Sequence, residues 1–414
     1  MDDTSVVEID LSAIDHNMGV LRQLVGPSTG ICPVLKSNAY GLGAARIARR
    51  VTMDGSSMIA VYSPHEANEL IAAGISGTFL ILMPVQSVGR TDPLYRALIT
   101  GRVHLSVQDA AHVEALATLA DHHAVAIDLH LEIDTGISRC GCPEPDAPAV
   151  LQRIDQHPRL RLAGIYTHFS CATGNPERTH AQMSRFESIL DECDAWIPDN
   201  CLIHTANTAA TLRDRRFHRS MIRVGAAWAG YGSDGLIDRD GQRLVDLRPC
   251  VTWSSSLVQV KSIPAGAGVG YGQTWTAPQS TVLGVIPVGY ADGYPTAVAR
   301  RDDQPDRPAC VGVQLSNTRI EYAPVIGAVS MDMMTIDLTG IVARHGSSAV
   351  RTGTTVRLIE PDVTAPSHLP TLASSAGLLP YQLLCGLDAN LKRIYRESAS
   401  TPVIEIMPRS LIAS

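Results

Sequence analysis

From Val6 to Arg213 the chain repeats one unit: a short apolar run, a turn of small and polar residues, then a stretch with apolar residues three or four apart. Residues 6–11, 31–35, 57–62, 78–83, 103–107, 126–133, 160–168 and 201–204 read as strands, being short, apolar and bounded by turn residues. Residues 14–24, 44–51, 64–73, 109–120, 177–196 and 207–213 read as helices. Parallel neighbours need a crossover connection, and a helix is the usual one. The alternation therefore predicts an α/β fold with a parallel sheet. About eight such units close best as a (β/α)8, TIM-like barrel. An open doubly wound sheet is the alternative, but no GxGxxG follows the first strand to support a dinucleotide site.

The texture changes near residue 235. Strands are read at 249–253, 282–287, 320–326, 334–338 and 355–359, separated by Gly, Pro, Asp and Asn turns. Residues 10–235 are assigned to the barrel. Residues 1–9 and 236–414 are assigned to a mainly β domain, with the amino-terminal strand pairing into it because chain ends often sit together. Residues 238–243, Asp-Arg-Asp-Gly-Gln-Arg, read as a surface turn or linker.

Composition narrows the partners. A net charge of −7 with no basic stretch argues against nucleic acid. No apolar run approaches the ~18–20 residues of a membrane span. The acidic start, Met1-Asp2-Asp3, lacks a signal-peptide layout, so a cytoplasmic location is expected. The 9 cysteines are scattered without a CxxC, which fits reduced thiols and no metal site.

Chemistry concentrates first at Lys36. It follows the apolar run 31–35 and precedes Ser37-Asn38-Ala39-Tyr40-Gly41-Leu42-Gly43, so it stands where a parallel strand ends. Ligands collect at that end in parallel α/β folds. A lysine there is ordinarily a solvated loop charge. Burial would favour its neutral amine, which can bond an aldehyde cofactor.

The whole string from Lys36 to Gly43 resembles the cofactor-lysine signature of the alanine racemase family, with Leu42 where that family usually has histidine. Other segments resemble the family in the same order. His204-Thr205-Ala206-Asn207-Thr208-Ala209-Ala210 is similar to its phosphate-binding segment, and Arg223-Val224-Gly225 to its Arg-Pro-Gly. Glu132-Ile133-Asp134-Thr135-Gly136-Ile137-Ser138-Arg139 is similar to its Lys-Leu-Asp-Thr-Gly-Met-x-Arg. Gly270-Tyr271-Gly272 and Gly289-Tyr290-Ala291-Asp292-Gly293 match further signatures, as does Gly327-Ala328-Val329-Ser330-Met331-Asp332.

The resemblance implies an amino-acid racemase that uses pyridoxal 5′-phosphate and works as a homodimer with composite sites. In that reading Lys36 holds the cofactor and is one base, serving the D-enantiomer. Tyr271, from the partner subunit, is the other base, serving the L-enantiomer. Tyr40, Thr208 and Tyr231 approach the phosphate, with Asn207 and Gly225 beside them. Arg223 meets the pyridine nitrogen and His168 lies against the ring. Arg139, Met331 and Tyr290 bind or flank the substrate. Glu132 replaces a lysine that many members carry carbamylated, so its carboxylate is expected to orient Arg139 directly. Alanine is the first expectation for the substrate, with serine or another amino acid as the alternative. A barrel decarboxylase would put a carboxylate at the ring nitrogen, which Arg223 argues against. A non-catalytic cofactor carrier would lack the β domain.

Overall fold

The computed structural model describes residues 5–53, 58–233, 236, 244–300, 302 and 308–397. The linker read at 238–243 lies outside the described residues. Two compact units emerge among the described residues, one from Ile14–Ala39 with Gly43–Arg248, the other from the amino-terminal strand, Tyr40–Leu42 and residues 249–397.

The amino-terminal strand β1 (Ser5–Asp10) leads into helix α1 (Leu11–Val25). The larger unit then alternates strands and helices: β2 (Gly30–Pro33), α2 (Ala44–Thr52), β3 (Met58–Val61), α3 (Pro64–Ala72), β4 (Thr78–Ile81), α4 (Pro93–Ile99), β5 (Val103–Val107), α5 (Ala110–His123) and β6 (Ile127–Asp134). It continues with α6 (Ala147–Gln156), β7 (Leu160–Tyr166), α7 (Pro176–Glu192), β8 (Leu202–His204), α8 (Thr208–Arg213) and β9 (Met221–Val224). Strands β3 to β8 are parallel neighbours in chain order, and β9 pairs parallel with β2. Two seams close the ring. Val34 bridges Ala60, and Leu35 N–H donates to the Ala60 carbonyl at 2.8 Å. Ser220 N–H donates to Ile203 O and Arg223 N–H to Ala206 O, both at 2.9 Å. The (β/α)8 barrel is thus the observed fold. Near the β2 seam, Cys32, Val34, Met58, Ala60, Leu80 and Met221 pack as one apolar cluster.

Three barrel elements were not expected from sequence. Helices α4 and α6 begin among prolines that read as loop. Proline is nonetheless suited to the first helical turn, where its missing N–H costs nothing. Asp92 caps α4, accepting from Leu94 N–H at 2.8 Å. Strand β9 carries Arg223 among four residues, and that charge hid its apolar character.

The other unit is built on a nine-stranded sheet. Its strands are β1, β10 (Val251–Ser256), β11 (Gln259–Ile263), β12 (Thr281–Ile286), β13 (Cys310–Ser316), β14 (Arg319–Ile326), β15 (Met334–Asp337), β16 (Thr355–Ile359) and β17 (Lys392–Arg396). The order is β11-β12-β15-β14-β13-β16-β10-β1-β17. β1 runs antiparallel to β10 and parallel to β17, as expected of an amino-terminal strand that joins this sheet. Val7, Ile9, Val251 and Trp253 alternate inward from that pair, each at 0% exposure. Strand β11 escaped the sequence reading because it is a mostly exposed edge bearing Gln259, Lys261 and Ser262.

Candidate active site

Lys36 stands just past the carboxyl end of β2 and is half-buried. The backbone then does something L-residues avoid. Ser37, Asn38, Ala39 and Tyr40 all take left-handed conformations, with φ between 52° and 57°. Each such residue costs on the order of 1–2 kcal/mol, so the turn must be held from outside. Ser37 N–H donates to Glu66 Oε1 at 2.7 Å, and Asn38 Oδ1 accepts from Ala44 N–H at 2.7 Å. The other Glu66 oxygen takes Tyr62 N–H at 2.7 Å and Ser63 N–H at 3.2 Å, completing the capping box of α3. One carboxylate therefore fixes the start of a helix and the turn after Lys36.

The segment after β6 is a second organised loop. Asp134 Oδ1 accepts from Gly136 N–H at 2.9 Å and from Ile137 and Ser138 N–H at 3.0 Å each. Gly136 needs its φ of +129°, and a Cβ there would stand 2.9 Å from Arg185 Nη2. This loop delivers Arg139, which is exposed. Behind it Glu132 is buried at 4% exposure and, against the expectation from sequence, makes no ion pair with the exposed Arg139; its carboxylate turns to Tyr166 instead. Tyr166 donates its hydroxyl to Glu132 Oε2 at 3.1 Å and lies 2.9 Å from Ser106 Oγ. Burial raises the Glu132 pKa, opposed by the Tyr166 hydrogen bond and by the charges of Arg223 and Arg139. His168 is pushed the other way, down to about 3, first by burial and then by Arg223, Arg139 and Lys36. Lys36, Arg139 and Arg223 thus all bear electrostatically on His168.

Arg223 is buried at 4% exposure with four of its five N–H groups committed to protein. Nη1 donates to His204 Nδ1 at 2.9 Å and to the His204 carbonyl at 2.7 Å. Nη2 donates to the carbonyls of Thr167 at 2.8 Å and Thr205 at 3.4 Å. Among the described residues, the Nε–H is left for a ligand. Beside it, Gly225 and Ala227 N–H converge on the Thr208 hydroxyl at 3.2 and 3.3 Å. Gly232 has φ of +100°, and a Cβ on it would come within 2.8 Å of Thr208 Cγ2. That cradle of backbone donors and a hydroxyl suits an anionic group such as a phosphate. Tyr231 is buried beside Gly232. Asn207 caps α8, taking Ala210 N–H at 3.1 Å and donating to the Phe169 carbonyl at 3.3 Å.

In the other unit three glycine-containing loops pack backbone to backbone. A Cβ on Gly270 would sit 2.8 Å from Ala328 N, and one on Gly327 would sit 2.7 Å from Val269 O. Tyr290 N–H donates to Ser330 O at 3.1 Å and Ala291 N–H to Met331 O at 3.0 Å. Tyr271, Tyr290 and Met331 are brought together on these loops, at 77%, 48% and 53% exposure. Tyr40 groups with this unit, its ring 6.1 Å from that of Tyr381, and burial pushes its phenol pKa up.

Comparison with known proteins decides the family. Residues 9–233 match the family described as alanine racemase, N-terminal domain, and residues 250–395 match alanine racemase, C-terminal domain. The chain belongs to the alanine racemase family. It is 33% identical over 400 residues to the alanine racemase of Treponema pallidum, covering 94% of this chain and 98% of that one. The Staphylococcus saprophyticus alanine racemase is 31% identical over 400 residues, covering 95% of each. Among solved structures, the alanine racemase of D-cycloserine-producing Streptomyces lavendulae superposes with a TM-score of 0.82 at 27% identity, covering 96% of this chain and 98% of that one. The Bartonella henselae alanine racemase, solved with covalently bound pyridoxal phosphate, shares the fold at 23% identity with a TM-score of 0.77, covering 95% of this chain and 99% of that one. As a member of this family the chain is an isomerase acting on a small molecule. Among the described residues, no helix is long and apolar enough to cross a membrane and no His, Cys, Asp and Glu cluster could hold a metal.

Two contributors to the racemase fold's site escaped the sequence reading. Glu66 stands three residues after Ser63, a capping signature that signals a helix start but says nothing about Ser37. Tyr166 looked like strand filling, yet its ring lies 5.0 Å from the Arg223 guanidinium and its hydroxyl feeds Glu132.

Proposed function

We propose that this enzyme interconverts L- and D-alanine with pyridoxal 5′-phosphate, using Lys36 and Tyr271 as its two bases. The observation that carries the reading is the pairing of Arg223, with one uncommitted N–H, with the donor cradle at Thr208, Gly225 and Ala227. The residues present fit the cofactor. Lys36 would hold its aldehyde carbon, Arg223 its ring nitrogen, and Thr208, Tyr40 and Tyr231 its phosphate. When bound, the cofactor supplies an electron-accepting ring that acidifies the substrate's Cα hydrogen.

The protein's own groups do the rest. A guanidinium does not give up its proton, so Arg223 leaves the ring nitrogen as a hydrogen-bond acceptor. Arg223 would thereby hold the ring nitrogen without protonating it, which would temper the chemistry the cofactor supplies. His168, neutral at pH 7, packs without adding charge. Arg139 binds the substrate carboxylate, and the Glu132 charge bears on it from a distance, without a direct ion pair. Lys36 Nζ moves a proton on one face, and the Tyr271 hydroxyl on the other. A phenol gives up its proton more readily beside a cation, and Arg139 would supply that cation to Tyr271.

The exposure of Tyr271 fits its delivery to a partner subunit's site in a homodimer. The nine free thiols fit the reducing cytoplasm. The test is chiral chromatography of each L-amino acid incubated with the loaded enzyme. D-alanine as the fastest product supports the proposal, and a faster serine or other product would reassign the substrate. Absence of any racemisation, or full activity in Tyr271→Phe, would overturn it.

A further inference from the structure

Among the described residues no carboxylate hydrogen-bonds the Arg223 guanidinium; instead it begins a row of histidines. Its Nη1 donates to His204 Nδ1 at 2.9 Å. His204 Nε2 lies 2.9 Å from His130 Nδ1, and His130 Nε2 lies 2.9 Å from His104 Nδ1. His104 Nε2 faces Asp128 Oδ2 at 3.9 Å, and Asp128 is ion-paired with Arg161 at 2.7 Å. His130 and His204 are fully buried, and His104 is partly exposed.

A guanidinium can only donate. His204 Nδ1 must therefore be the bare nitrogen, and that ring's proton sits on Nε2. This proton points at His130 Nδ1, so His130 is fixed the same way, and His104 after it. The arginine dictates the tautomer of three rings, and the row ends with an N–H toward a carboxylate. The strands build the room for it. The register between β6 and β7 shifts at Leu129/His130, so that His130 pairs with Gly164. A Cβ on Gly164 would collide with the His130 imidazole. Tyr166 stacks on His204 with centroids 4.9 Å apart and planes 14° apart.

We propose that His204, His130 and His104 are positioning residues, a one-way row of Nε2–H imidazoles set by Arg223 that aims the Nε–H of Arg223 at the cofactor ring. The last clause rests on the pyridoxal phosphate reading; the row itself does not. Burial, with the nearby positive charge of Arg223, lowers the pKa of His130 and His204 well below the usual imidazole range, so both stay neutral. Successive hydrogen bonds polarise one another, so the row strengthens the His204 Nδ1 acceptor offered to a buried cation that would otherwise rely on backbone carbonyls. Glu132 and Arg139 are the other charges that bear on Arg223, and Arg161 that on His104.

The test reads the tautomers directly. Purified holoenzyme labelled with ¹⁵N-histidine is observed by NMR without substrate, with peaks assigned through His104→Gln, His130→Gln and His204→Gln. The expected result is three neutral rings protonated on Nε2 at pH 7. In addition, His104→Gln should move the His204 Nδ1 resonance two hydrogen bonds away. A single Nδ1–H or doubly protonated ring among the three overturns the proposal. As a second measurement, His130→Phe should lower kcat/KM about tenfold, the upper worth of one neutral buried hydrogen bond, and shift the cofactor absorbance band. His130→Gln, which keeps a donor and an acceptor, should recover part of both. A folded His130→Phe with the wild-type band and rate also overturns it. The tautomers are read without turnover, so an intact row in a protein that racemises nothing would refute the function and leave the row standing.

Discussion

Removing the Glu66 carboxylate should loosen the site at its anchor. The turn from Ser37 to Tyr40 stores on the order of 4 kcal/mol of left-handed backbone strain, taking the lower figure of ~1 kcal/mol per residue. Glu66 contributes one of the bonds that hold it, at Ser37 N–H, and two more at the start of α3. These donors are solvent-accessible, so each bond is worth ~0.5–1 kcal/mol rather than the larger value for buried charge-assisted pairs. Glu66→Ala should therefore destabilise the protein by about 2 kcal/mol, which is ~2–3 °C in Tm for a chain of 414 residues. Glu66→Gln keeps one acceptor and should cost about half as much. Ser63→Ala removes only the reciprocal cap, where Ser63 Oγ accepts from Glu66 N–H at 3.3 Å; it should cost ~1 kcal/mol and leave the turn alone. Urea unfolding gives the stabilities, and cofactor absorbance during dialysis reports how firmly Lys36 retains its partner. Glu66→Ala should release the cofactor faster than Ser63→Ala. If the two variants match in both stability and release, the Ser37 bond carries nothing and the reasoning fails.

Thr208→Val removes the hydroxyl on which Gly225 and Ala227 converge, and should weaken cofactor affinity about tenfold by equilibrium dialysis while leaving the fold intact. His168 has a depressed pKa, so the folded state binds fewer protons than the unfolded one as pH falls from ~6.5 to about 3. Stability is lost across that window by up to ~1.4 kcal/mol per pH unit, and His168→Asn should flatten the loss in urea titrations at stepped pH. Glu132 has the opposite sign. Its raised pKa makes the folded state hold the proton longer, so stability falls as pH rises from the ordinary carboxylate range up to the raised value. Glu132→Gln should abolish that fall, and a Gln variant with the wild-type slope would mean that another carboxyl is responsible.

The barrel was legible because its signal is local. Each strand and helix carries its own period, and the short crossovers leave few alternatives. Where the reading missed an element, the local signal was masked by a residue serving another need. Arg223 sits inside β9 because the site needs a guanidinium at that strand's end, so four residues that pair with β2 did not look like a strand. Pro148 stands in the first turn of α6, and no helix was read there because proline also marks turns. The pattern of β11 is that of a solvated edge, which a search for apolar alternation passes over.

The candidate site was legible in a different way. Lys36, Arg139, Thr208, Arg223 and Tyr271 sit in contiguous strings whose order resembles one family, and the strings could be matched without knowing how they meet. What could not be matched is anything defined across strands. Gly164 looks like an ordinary strand glycine until the β6–β7 register places it against His130. His104 is one polar residue in an apolar run until His130 reaches its Nδ1. Neither residue has a chemical role that its own segment discloses. Their roles exist only because a guanidinium that cannot accept a hydrogen bond stands at one end of the row. That asymmetry makes the row directional: reversing any one ring would set two N–H groups against each other at its inner face. It would also leave two bare nitrogens facing at its outer contact, unless the neighbouring rings turned as well. Arg223 is the one member that cannot follow.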